Sequence, residues 1–144
     1  MTFESKDKEK DFSEDLLLFE ATGFSMWPFI KQEEKLIVKK TPMMDLMIGD
    51  IILYRKDKQL VCHRLVRKII DNEEYCLYTR GDNTKFLLEP ITEQMFFGKA
   101  VGKIKNGRII SLTGKRQQII NRLIIIVSPL INIGIKIGKA LLRK

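Results

Sequence analysis

Histidine is nearly absent from this chain: His63 is the only one. Cysteine is scarce too. Cys62 and Cys76 belong to no CxxC pattern and to no Cys/His cluster with zinc-ligand spacing, so the sequence asks for no metal, no cofactor and no disulfide framework. Two isolated thiols fit a reducing compartment. Long hydrophobic runs are missing as well. The longest uncharged apolar-rich stretch, Leu123–Ile135, has thirteen residues, against the roughly 20 of a membrane-spanning helix. The first fifteen residues, MTFESKDKEKDFSED, are densely charged and lack the apolar h-region of a secretory signal, so residues 1–15 read as a flexible charged arm. The last absence is acid. Residues 115–144 carry Lys115, Arg116, Arg122, Lys136, Lys139, Arg143 and Lys144 and no Asp or Glu, whereas residues 1–114 hold 19 basic and 18 acidic side chains. The net charge of +8 is therefore a property of one segment, suited to an anionic membrane surface, a nucleic acid or an acidic partner.

What is present suits one domain: 144 residues, 44% hydrophobic, enough for a core at this size. Segments of strand composition recur from residue 16 onward. They are LLLFEA (16–21), LIVKK (36–40), DIILYRK (50–56), LVCHRLVRKII (60–70), EYCLYT (74–79), MFFGKAVGKI (95–104) and RIISL (108–112). Turn formers separate them, with Asn106-Gly107 between two apolar runs as the strongest hairpin signal. The period changes after residue 114. Gln118, Asn121, Arg122, Ser128, Asn132, Lys136, Lys139 and Arg143 follow helical steps and form a narrow polar stripe, with Pro129 and Gly134 predicting a kink or two short helices. The expected organisation is a mainly β domain of coiled antiparallel sheets at 16–113 and a basic amphipathic helical tail at 114–144. The apolar face of that tail either lies on an anionic membrane or packs on the β domain or a partner.

Few residues are equipped for chemistry. Ser25 sits in Gly23-Phe24-Ser25-Met26-Trp27-Pro28, an irregular stretch where a tight loop can aim a backbone amide at a carbonyl oxygen. A serine hydroxyl becomes nucleophilic only with a base within hydrogen-bond reach. The one candidate is His63, which alternation places on the strand face of Val61 and Leu65, opposite Cys62 and Arg64. Apolar neighbours would keep its imidazole neutral and able to accept a proton. Tyr78–Thr84 ends a strand in a Gly81-Asp82-Asn83 turn, where Asp82 either bonds backbone amides or orients His63. Taken singly, Ser25 reads as a loop serine and His63 as a packed histidine.

Taken in order, GFSMWPFI (23–30), GDII (49–52), VCHRLV (61–66), TRGDNT (79–84) and FFGKAVGKI (96–104) resemble the successive motifs of the type I signal peptidase family. The resemblance covers roughly residues 18–112. It is to the branch of that family in which histidine replaces the lysine base. It implies the coiled β fold shared with LexA-like peptidases, a serine endopeptidase with Ser25 as nucleophile and His63 as general base, and a peptide contacted around Gly23, Met26 and Pro28. A third, orienting acid is Asp82 or, second, Glu89, which precedes Pro90. The substrate implied is an extended segment such as a leader or signal-like peptide, paired as a strand. The family's usual transmembrane helix before the nucleophile is replaced here by charged residues. The expected location is thus the cytoplasm or the cytoplasmic face of the membrane. No helix-turn-helix pattern precedes residue 16, so nucleic acid is not the partner the motifs suggest. The competing expectation is a catalytically inactive, membrane-associated peptide-binding module of the same fold.

Overall fold

Tight turns set the register of the sheet. The computed structural model describes residues 2–3, 16–72, 74–84 and 88–141, with backbone alone for 2–3 and 130–141. Strands β4 (Ile51–Lys56) and β5 (Gln59–Asp71) join through Asp57-Lys58, with Lys56 opposite Gln59 and Asp57 at φ 55°. Strands β8 (Phe96–Lys105) and β9 (Arg108–Ser111) join through Asn106-Gly107, whose φ values of 50° and 72° are those of a type I′ turn. Asn72, at φ 46°, opens the turn from β5 into β6 (Glu74–Arg80).

Among the described residues, nine strands form one antiparallel sheet curled into a half-barrel. Its main order is β2 (Leu16–Glu20), β3 (Lys35–Lys39), β8, β4, β5, β6 and β7 (Glu89–Ile91), with β9 on β8 and β1 (Thr2–Phe3) on β5. The long β5 makes the curl possible. It pairs with β4 as far as Arg64, then with β6 from Arg64 onward, and a register shift between Leu65 and Arg67 bends it. The two faces carry separate cores. Ala21, Met26, Ile30, Leu36, Val38, Leu53 and Cys62 pack on one side, and Ile52, Tyr54, Val61, Leu65, Leu77 and Ile91 on the other. His63 lies directly opposite Ile52, and Tyr54 opposite Val61, so His63 and Tyr54 share the second face.

Each expected strand segment forms a strand, and two more strands appear. Glu89–Ile91 holds Pro90, which argues against a strand by removing a donor; β7 tolerates it because it is the outermost strand on that side. Thr2 and Phe3 pair with Val61 and Leu60, within the expected flexible arm; the remainder of that arm lies outside the described residues.

Of the two alternatives expected at Pro129 and Gly134, a kink or two short helices, the second does not occur. A single helix, α1, runs from Lys115 to Leu141 through Pro129. A proline inside a helix leaves the carbonyl four residues earlier without its N–H partner. Here that carbonyl belongs to Ile125, and Arg80 Nη2 donates to it at 2.7 Å and to Ser128 Oγ at 3.3 Å. The helix is therefore both repaired and anchored by a side chain of β6. Asn121, Ile124 and Ser128 are buried against the domain, with Asn121 seated on Gly49.

Candidate active site

The segment carrying Ser25 is tied down at both ends. The Ala21 amide donates to the Glu34 carbonyl (2.8 Å), and that of Glu33 returns to the Ala21 carbonyl (2.8 Å). Lys103, on β8, donates to the Phe29 carbonyl and pairs with Glu34 at 2.8 Å. Between these ties the chain turns tightly, with Trp27 N donating to Phe24 O at 3.1 Å and Ile30 N to Met26 O at 2.9 Å. Met26 and Ile30 sink into the first core and fix the turn by burial.

The Gly-Asp-Asn turn then clamps the loop from the other side. Asn83 N donates to the Ser25 carbonyl at 2.7 Å, and Asn83 Nδ2 to the Phe24 carbonyl at 3.2 Å. The approach leaves no room for a side chain at Gly81, where a Cβ would stand 2.8 Å from the Ser25 carbonyl oxygen and 3.0 Å from Ser25 Cβ.

The hydroxyl of Ser25 lies 3.2 Å from His63 Nε2. On the far side of the ring, His63 Nδ1 lies 3.0 Å from the Tyr54 hydroxyl, which donates to Glu89 Oε2 at 2.6 Å. Glu89 Oε1 accepts from Lys56 Nζ at 2.9 Å. The ionisation states give this chain a direction. Burial opposes the charge on Glu89, but hydrogen bonds from Tyr54 and Lys56 and the positive charge of Lys56 outweigh it and hold the carboxyl below its ordinary range. Glu89 is thus ionised at neutral pH and can only accept. Burial, and then the bond to Glu89, push the Tyr54 phenol well above its ordinary range, so it keeps its single proton and gives it to Glu89. The Nδ1 contact must then be donated by the imidazole. Nε2 is left with its lone pair facing Ser25, which is the tautomer a general base requires. Burial also pushes the His63 pKa down to about 4, so the ring is neutral over the physiological range.

The sequence expectations divide on this geometry. Ser25 and His63 come together across 38 positions. Glu89, the second choice for the orienting acid, is the carboxylate on the histidine side, 3.9 Å from Nδ1 and joined to it through Tyr54. Asp82, the first choice, is engaged elsewhere. Its two oxygens accept from Arg64 Nε at 2.8 Å and Nη2 at 2.7 Å, and Arg64 also donates to the Gly49 carbonyl. Asp82 therefore holds β5 and the turn in register beside the site. Of the expected substrate contacts, Gly23 and Pro28 flank Ser25, at φ 86° and in an exposed position respectively. Met26 is a correction: its side chain is fully buried, and the exposed apolar groups beside Ser25 are Phe24 and Trp27.

Tyr54, Lys56 and Arg64 escaped the sequence reading. For Tyr54 a signal existed, because a two-residue turn at Asp57-Lys58 sets Tyr54 opposite Val61 and so on the face of His63. A cavity of about 180 Å³, lined by Tyr54, Lys56, Leu88, Glu89, Pro90, Ile91 and Met95, opens at the Glu89 end of the chain of bonds and away from Ser25.

Set beside known protein families, curated proteins and solved structures, the chain matches none of them.

Proposed function

We propose that this chain is a serine endopeptidase of the signal-peptidase type, which cleaves a leader or signal-like peptide by attack of Ser25 with His63 as general base. The observation that carries the reading is the 3.2 Å contact between Ser25 Oγ and Nε2 of His63. In the first step Oγ bonds to the scissile carbonyl carbon as its proton passes to Nε2. The imidazolium returns that proton to the leaving amine as the C–N bond breaks, leaving an acyl group on Ser25. Water then gives its proton to His63 and its oxygen to the acyl carbon, and the imidazolium returns the proton to Oγ as the ester bond to Ser25 breaks. A histidine this buried is a weak base. The negative charge of Glu89, relayed by Tyr54, favours the imidazolium as it forms.

The curled antiparallel sheet and the order of the five motifs support assignment to the LexA/signal-peptidase fold. Strand β2 is an outer strand of the sheet and ends at Glu20, shortly before Ser25, so an extended substrate can pair beside it. Cys62 and Cys76 are both free, which supports placement in the reducing cytoplasm or on the cytoplasmic side of a membrane.

One observation favours a second reading, a non-catalytic peptide-binding module of the same fold: the low proton affinity of His63. The two separate in one experiment. The protein is treated with a serine-acylating reagent and with a peptide library, and both are weighed by mass spectrometry beside Ser25→Ala and His63→Ala. A peptidase gives one adduct and cleaved peptides, both lost in Ser25→Ala. Peptide binding with neither adduct nor cleavage favours the module.

A further inference from the structure

Helix α1 is mounted with its polar side inward. The described residues it buries are Asn121, Ile124 and Ser128; Asn121 sits on Gly49, and the Arg80 guanidinium donates to the Ile125 carbonyl and the Ser128 hydroxyl. Gln117 donates to Asn121 Oδ1 at 3.0 Å along the same side. Facing out are five large aliphatic side chains: Ile119 (61% exposed), Ile120 (47%), Leu123 (54%), Ile126 (65%) and Val127 (43%). Their steps of three and four place them on one helix face. Scattered exposed aliphatics need no explanation, but a continuous face of them marks an interaction surface.

The charge around this face selects its occupant. Lys115, Arg116 and Arg122 are exposed on the same stretch of helix, and residues 115–144 hold seven basic side chains and no acid. A second copy of this chain would bring two such helices together with like charges and nothing to offset them. A nucleic acid would use the cations and leave the aliphatic face bare. A bilayer containing anionic lipid uses both, taking aliphatic side chains at the headgroup–acyl boundary and cations at the phosphates. No helix among the described residues is long and apolar enough to cross a membrane. An aliphatic face with cations beside it suits a helix lying in the plane of the interface.

We infer that the outer face of α1 is a docking surface for an anionic lipid bilayer, on which the helix lies flat. The inference does not depend on Ser25 being catalytic, but it bears on the site. Arg80 anchors α1, and the next residues, Gly81 and Asn83, hold the Ser25 loop. One short segment thus couples the docked helix to the candidate nucleophile.

The test is flotation of the full chain with vesicles of phosphatidylcholine alone or mixed with phosphatidylglycerol. Two triple variants run beside it: Ile119→Gln/Leu123→Gln/Ile126→Gln and Lys115→Gln/Arg116→Gln/Arg122→Gln. All six positions are exposed and glutamine is a good helix former, so both variants should melt like the wild type. The wild type should float with the anionic vesicles only. The apolar triple should cut partitioning at least about tenfold. The basic triple should cut it by roughly fivefold per charge removed. Wild type that ignores anionic vesicles overturns the inference, as does an apolar triple that still floats like the wild type. Sedimentation as a dimer that the apolar triple dissolves, without vesicle binding, overturns it in favour of a second copy.

Discussion

His63 and Glu89 stand 3.9 Å apart with the Tyr54 hydroxyl bonded to both, at 3.0 Å and 2.6 Å. The carboxylate reaches the imidazole through a hydroxyl that holds one proton, and that proton is committed to the carboxylate. The polarity of the whole chain of bonds, down to the contact of Nε2 with Ser25, follows from this single commitment.

Tyr54→Phe removes that hydroxyl and leaves the ring body in the core. Without it, Nδ1 loses the hydrogen bond to Tyr54 that sets the tautomer. The rate of Ser25 acylation should fall about 10²-fold while the fold persists. Glu89→Gln should also slow the wild type, yet have almost no further effect in the Tyr54→Phe background, because the two act in series. Independent, additive losses in that double-mutant cycle would show that Glu89 does not act through Tyr54.

The pH dependence should be unusual for histidine. Only the neutral ring accepts a proton, and burial lowers its pKa to about 4, so the acid limb of the acylation rate should fall near pH 4 rather than near 6.5. Stability follows the same group. The folded pKa lies below the unfolded value, so between pH 6.5 and 4 the unfolded chain binds more protons and stability drops as the solution is acidified. The loss from His63 is on the order of 3 kcal/mol across that window. Urea titrations at several pH values should show that slope, and His63→Asn should flatten it.

Asp82→Asn and Glu89→Gln should separate stability from chemistry. The Arg64–Asp82 pair is almost wholly buried, and breaking it strands the Arg64 charge, so Asp82→Asn should cost about 3–5 kcal/mol in urea unfolding. The Lys56–Glu89 pair is partly open to water, and Glu89→Gln should cost no more than about 1 kcal/mol while still slowing acylation. The reverse ranking would return the orienting role to Asp82.

Gly81→Ala places a methyl 2.8 Å from the Ser25 carbonyl oxygen, so the loop must retreat. The expected cost is about 1–3 kcal/mol. The larger effect should be on activity, since moving Oγ off the 3.2 Å contact removes the proton path. Acylation at the wild-type rate with an altered melting temperature would mean that the loop relaxes elsewhere.

Much of the sheet was legible in the sequence, for local reasons. Asn106-Gly107 dictates a type I′ turn, and the alternation around His63 dictates its face, because both depend only on neighbouring residues. Glu89–Ile91 was hidden because Pro90 argues against a strand, and only an outermost position makes it acceptable. How α1 continues through Pro129 was hidden for a related reason. Nothing near Pro129 in sequence announces that Arg80, on another element, will occupy the Ile125 carbonyl.

Sequence alone determined most of the strands, the turns between them, and the presence of one hydroxyl and one imidazole suited to share a proton. Tertiary structure decided which carboxylate lies beside the imidazole, that Tyr54 lies between them, that Met26 is core, and which side of α1 faces the domain. The division is physical. Periodicity and turn chemistry specify which side chains share a face, but which faces meet is settled by the curl of the sheet, where β5 changes partners and brings residues 25, 54, 63 and 89 to one place.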